Sequence, residues 1–277
     1  MTFFILLWYS AFITTKPIVD NSDPFAALAF RFFFVALGFF LFSFYLNQSL
    51  ITNKRKIAEA VLSGVLFHGF YLGGVFYSIS IGMPVGIAAL IVTLQPVLTN
   101  ILSGPILDEK ITIQQWIGVL LGFTGASLVL GLDIGSGIPL LGLIATIIAL
   151  LSITISTIWQ KKISKNLPLS VSNFYQAFGG CLFHVLIVTF FAEPYINFNK
   201  VFIIAMSHQV LLVSFGAFTI LMLLIKKNSA SKTVSIFFLI PSTSALMAWF
   251  FLNEKLTNLD VVGFIVTSVG VYIATRE

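Results

Sequence analysis

The sequence predicts an all-α integral membrane protein whose ten transmembrane helices form two inverted five-helix repeats. Three observations carry this expectation. Of the 277 residues, 58% are apolar and 9% are charged, against about 25% charged in an ordinary soluble domain. Apolar runs of membrane-crossing length recur from one end of the chain to the other. A shift of 145 residues, without gaps, lays the second half of the sequence on the first.

A bilayer core about 30 Å thick needs about 20 apolar residues in helical form. Runs of that kind, separated by charged or Pro/Gly/Asn-rich breaks, lie at 2–19, 25–46, 57–80, 84–106, 113–131, 138–160, 169–191, 201–225, 230–252 and 257–275. The first is the shortest before its proline, Pro17, and barely crosses at about 1.5 Å per residue. It has no basic leader and no clear small-residue cleavage site, so it is expected to remain as a helix. The second follows the Asp23-Pro24 break, and the third follows the basic cluster Lys54-Arg55-Lys56. The fourth and ninth each carry a proline, Pro96 and Pro241. The fifth carries glycines at 118, 122 and 125, and the sixth ends on Trp159 and Lys161-Lys162. Continuous apolarity over these lengths favours helices over the short alternating segments of a membrane β-barrel.

Composition also excludes several functions. Thirty phenylalanines and a mean hydropathy of +1.04 are incompatible with a disordered or nucleic-acid-binding domain. The single cysteine, Cys181, excludes an intrachain disulfide framework and a cysteine-based zinc site. No metal or cofactor is expected, and no nucleic-acid partner. The expected surroundings are a lipid bilayer and a small-molecule substrate.

The net charge of +5 is explained by topology. With the N-terminus inside, the inner loops hold eleven basic residues, among them Lys54, Arg55, Lys56, Lys161, Lys162, Lys226 and Lys227. The outer loops hold three, Lys16, Lys200 and Lys255. The bias of basic residues toward the cytoplasm then places both termini inside the inner (cell) membrane.

In the 145-residue register Pro96 meets Pro241, Leu107 meets Leu252, Glu109 meets Glu254 and Lys110 meets Lys255. Thr112, Gly118 and Gly125 meet Thr257, Gly263 and Gly270. The chain divides into repeats at 1–132 and 138–277. Five spans per copy, an odd number, force the second copy to insert upside down. Inverted repeats around a midplane site are a recurring plan of secondary transporters.

The paired segments also resemble a known family. Gln95-Pro96, Leu107-Asp108-Glu109-Lys110, Trp116 and Gly118 resemble the end of an EamA domain. Pro241, Asn253-Glu254-Lys255, Gly263 and Gly270 resemble a second copy, and Trp8-Tyr9 with Ala29-Phe30-Arg31-Phe32 resembles the family's opening. The resemblance implies a ten-helix carrier of the drug/metabolite transporter superfamily, exporting amino acids, other metabolites or toxic compounds.

Polar groups in the hydrocarbon layer are expensive, so those that persist are candidate site residues. The substrate-binding candidates are Trp8, His68, Tyr71, Thr93, Gln95, Tyr175, Gln176 and Ser242. His68, Tyr71, Val75 and Ser78 share one helical face. Pro96 and Pro241 interrupt equivalent helices, as at the broken helices of transporters. Arg31 is expected to support the fold, its chain reaching toward the outer interface. Glu109 and Glu254 are expected to cap the helices that follow them, beside the N-cap residues Thr112 and Thr257, with a gating role as the alternative for both. His184 is expected to be structural. The glycines of the fifth helix suit close packing at the seam between repeats, with a homodimer as the alternative to the expected monomer.

No acid falls deep in a span, so the expected substrate is neutral or zwitterionic, amino acids included, moved outward by alternating access, and drug-like compounds remain within the class. The competing reading is a membrane-embedded enzyme acting on a lipid or peptide substrate. No His-Glu-x-x-His, Gly-x-Ser-x-Gly or phosphate-binding lysine loop supports it, so no enzyme activity is expected.

Overall fold

The computed structural model describes residues 2–50, 53–130, 138–163, 166–191, 193–239 and 258–276. Pro241, Ser242, Glu254 and Thr257 lie outside the described residues, as do residues 240–252 of the 230–252 run.

Helix α1 (Thr2–Val19) and α2 (Pro24–Tyr45) are joined by a turn in which Asp23 caps α2, its carboxylate accepting from the Ala26 N–H at 2.7 Å. Pro24 at the first helical position removes a donor that would otherwise be orphaned. Helix α3 (Lys54–Ser80) starts three residues before the expected 57, because the Asn53 side chain caps it by accepting from Arg55 N–H. The basic trio therefore lies in the first turn, where Arg55 pairs with Glu59. Helix α4 (Val85–Leu107) is broken at Thr93–Leu94, just before Pro96, and ends at Asp108 in a left-handed conformation (φ 56°).

Helix α5 (Ile113–Leu130) opens with a reciprocal cap. Thr112 Oγ1 accepts from Gln115 N–H at 3.1 Å, and Gln115 Oε1 accepts from Thr112 N–H at 2.9 Å. Then follow α6 (Leu140–Ile163), α7 (Leu169–Phe191), α8 (Lys200–Lys227), a short α9 (Ala230–Ser235) continued by the tighter turn Ile236–Phe238, and α10 (Asn258–Thr275). Among the described residues six helices, α2, α3, α4, α6, α7 and α8, are long and apolar enough to cross a membrane.

These helices are polar inside and oily outside. Along α6, Leu141, Ile144, Ile148, Leu151 and Ile155 are exposed on one stripe, while Thr146, Ser152, Ser156, Thr157 and Gln160 are buried on the other. A soluble protein would bury the first stripe. Here lipid covers it, and the interior groups satisfy one another or their own helix: Thr146 Oγ1 donates to the Gly142 carbonyl at 2.8 Å and Gln160 Nε2 to Gln176 Oε1 at 3.0 Å.

Small residues set the closest contacts. A Cβ on Gly118 would lie 2.6 Å from the Gly270 carbonyl oxygen and 2.4 Å from Ala274 N; one on Gly125 would lie 2.6 Å from the Gly263 oxygen. Helices α5 and α10 thus touch backbone to backbone, and the glycine stripe expected at a seam is used within the chain.

Two helices contain wide, π-type turns, Val65–Tyr71 in α3 and Gln209–Ala217 in α8. Such turns leave carbonyls off the regular ladder and re-aim side chains, and they recur at functional sites. The His68 carbonyl, inside the first of them, accepts from His184 Nε2 of α7 at 2.9 Å. That bond ties α7 to α3, while His184 Nδ1 is buried without a partner among the described residues.

Candidate functional site

The two wide turns face each other across a buried cavity of about 40 Å³, room for about three water molecules. Its walls come from α1 (Trp8, Ala11, Thr15), α2 (Arg31), α3 (Phe67, His68, Tyr71, Val75) and α8 (Gln209, Val213, Ser214, Phe218). His68 and Tyr71 are 4% and 2% exposed. The extra residue of each wide turn brings its polar side chains onto the wall.

Aromatic rings hold these groups in place. His68 lies between Phe32 (ring centroids 4.4 Å apart) and Phe218 (4.6 Å). Tyr71 meets the edge of Phe67 at 5.3 Å, and Trp8 stacks on Phe237 of the turn after α9 at 5.1 Å. Gln209 ties α8 to α1: its Nε2 donates to the Ala11 carbonyl at 2.8 Å and to Thr14 Oγ1 at 2.9 Å, leaving its buried Oε1 without a partner.

A smaller neighbouring cavity shares Trp8 and Tyr71 and continues to Thr93, Gln95 and Phe237. It abuts the break in α4, where Gln95 Nε2 donates to Thr157 Oγ1 at 3.0 Å and Thr93 Oγ1 to the Ala89 carbonyl at 2.6 Å. Trp8, His68, Tyr71, Thr93 and Gln95 are therefore gathered around two adjoining spaces. Pro96 lies in the first turn of the second segment of α4, beside them. Ser78 turns back to its own helix, donating to the Val75 carbonyl.

Tyr175 and Gln176 are not part of this group. The Tyr175 hydroxyl donates to the Leu50 carbonyl at 2.7 Å, fastening α7 to the loop after α2. Gln176 is held between Gln160 and Ser172 near the same end of the bundle.

Two expectations are corrected in detail. Arg31 does not reach the interface: it is 3% exposed and turned into the cavity, where Nε donates to Ser214 Oγ at 3.0 Å. Its depth follows from packing, since the buried face of α2 (Ala27, Leu28, Phe32, Val35) rotates residue 31 inward. Glu109 caps a different helix from the one that follows it: its carboxylate accepts from Ala230 N–H at 2.8 Å and Ser231 N–H at 3.4 Å, at the start of α9. The α4–α5 turn folds back over that helix, and Asn100 bonds Ser231 beside it.

Gln209 and Ser214 escaped sequence reasoning. The available signal was the register: shifted by 145, His68 and Tyr71 fall on Val213 and Gly216, beside both residues in α8.

The arrangement is a greasy, aromatic-lined chamber with a few donors and acceptors, suited to holding a small molecule. A solved crystal structure with a TM-score of 0.80, covering 98% of this chain and 94% of that one at 16% identity, has the same fold. An uncharacterized transporter of Bacillus subtilis, YvbV, is 29% identical over 77% of this chain and 69% of its own length. A protein of Escherichia coli named as a probable amino-acid metabolite efflux pump is 20% identical over 97% of this chain and 91% of its own. The family model described as the EamA-like transporter family matches twice, at residues 2–131 and 140–276. The chain belongs to the EamA-like transporter family and is a multi-pass membrane protein.

Proposed function

We propose that this protein is a secondary transporter of the inner membrane, both termini cytoplasmic, that moves a small neutral or zwitterionic metabolite outward through the cavity at Trp8, His68 and Tyr71. Ten spans in two inverted five-helix repeats provide alternating access, and the amino acids are the foremost substrate class. The observation that carries this reading is the position of the two wide turns. Shifting Val65–Tyr71 by 145 residues places it on 210–216, inside Gln209–Ala217, so equivalent irregularities line opposite walls of one chamber. Irregular helix is tolerated at membrane depth where it lines a cavity.

Other features support the same reading. Helices α5 and α10 have bounds that differ by 145 at both ends. Gly118 meets Gly270 while Gly125 meets Gly263, the reciprocal contact expected of two equivalent helices around a dyad. The cavity is too small for a metabolite in this state, so loading requires its walls to part, as when repeats rock. The amino-acid class is supported by the name of the Escherichia coli relative.

Thermal unfolding of the purified protein against amino acids, nucleosides, polyamines and quaternary ammonium dyes tests this. A substrate at a hundred times its dissociation constant adds about 2.7 kcal/mol to stability. Stabilisation by one class, lost in Tyr71→Phe or His68→Ala, is the expected result. Stabilisation that survives both changes places the site elsewhere.

A further inference from the structure

Among the described residues that line the chamber, Arg31 is the one that carries a guanidinium. A guanidinium offers five N–H donors in a planar fork. Among the described residues only Nε has a hydrogen-bonded partner, the neutral hydroxyl of Ser214. Among the described residues no carboxylate lies within salt-bridge distance of Arg31: the two ion pairs are Lys16–Asp20 and Arg55–Glu59, both at helix ends. Among the described residues no acid lines either cavity. A buried charge without a counter-ion is costly unless a partner completes it, and Ser214 from α8 fixes the fork facing the chamber.

We propose that Arg31 is the anion-recognition residue of this transporter, and that its substrates carry a carboxylate which docks on the guanidinium fork. The inference rests on the transport reading but changes its substrate class: it keeps the zwitterions that bear a carboxylate, drops the uncharged compounds and adds apolar monocarboxylate anions. Strictly neutral compounds and cations fall outside the substrate class, whereas amino acids and apolar monocarboxylates fall within it. Phe67, Phe76 and Phe218 line the chamber and suit an apolar or aromatic body on the acid. Paired N–H donors to a carboxylate are among the stronger hydrogen bonds available to a protein. An amide of the same shape presents one neutral acceptor and gains far less.

The test uses a matched set of 3-phenylpropanoate, L-phenylalanine, 3-phenylpropanamide and 2-phenylethylamine. Binding to the purified full-length protein is read by thermal shift titration, and entry into proteoliposomes by tracer uptake. The wild type is expected to bind the two carboxylates about tenfold or more tightly than the amide and the amine. Arg31→Gln abolishes that preference, Arg31→Lys keeps part of it, and Ser214→Ala weakens it. A purely structural role for Arg31 would lower stability without changing the ratio of acid to amide affinity. The wild-type ratio stands even if a variant fails to fold. The proposal is overturned if the amide binds as tightly as the acid, if folded Arg31→Gln retains the preference, or if neither carboxylate shifts the wild type. Saturable uptake of amide and acid alike would overturn the anion site and leave the transport reading intact. Absence of both binding and uptake for every member would count against both.

Discussion

The carboxylate of Glu109 shows how one side chain can hold two distant parts of a membrane protein together. It accepts two N–H groups at the buried start of α9, where the positive end of the helix favours an anion. Glu109→Ala removes that cap and is expected to cost about 1–2 kcal/mol, while Glu109→Gln, which keeps an acceptor oxygen, costs less. Unfolding temperatures of the two variants in one detergent check the order; equal losses would mean that packing, not capping, dominates. The sequence reveals a cap of some kind there, because Glu109 follows a helix and precedes Thr112. It does not reveal which helix is capped, since the α4–α5 turn folds back and the partner is 121 residues away. Arg31 is a similar case. Its position in the sequence suits either an interfacial or a buried side chain, and the burial of Phe32 and Leu28 on the same helix decides the matter.

At the scale of helices, apolar run length and terminal residues identify most boundaries. Asp23, Asn53, Asn199 and Ser229 each accept from an N–H in the first turn of a helix, so four starts are fixed by local chemistry. The wide turns of α3 and α8 are invisible to periodicity, because one extra residue in a long apolar run leaves the hydropathy unchanged. Their effect on the site is direct: they swing His68, Tyr71, Gln209 and Ser214 onto one chamber. The α5–α10 contact is more legible, since glycines at 118, 122, 125, 263 and 270 signal close approach. Gly118→Leu would force a side chain into backbone atoms 2.4–2.8 Å away and separate the helices. It is expected to destabilise by about 1–3 kcal/mol or to prevent folding. Gly86→Ala, with nothing within 4 Å of the added Cβ, serves as the tolerated control. Equal behaviour of the two variants in a thermal scan would contradict the backbone contact.

Over the whole molecule the loops of the two halves meet at both ends of the bundle. On one face Asp23 N–H donates to the Tyr195 carbonyl at 3.0 Å and Asn197 N–H to the Asn21 carbonyl at 2.9 Å. On the other, Tyr175 and Glu109 bind Leu50 and α9. In the proposed transport cycle, substrate crosses through this chamber. Tracer counterflow in proteoliposomes preloaded with individual unlabelled amino acids tests it most directly, comparing the wild type with Tyr71→Ala and Trp8→Ala. Trp159→Phe is the control, because that indole packs outside the chamber and donates to the Glu59 carbonyl at 3.2 Å. Saturable counterflow for at least one amino acid, lost in the two chamber variants and kept in the control, is the predicted result. Counterflow that survives both chamber variants, or none from folded wild-type protein with any amino acid, would contradict it.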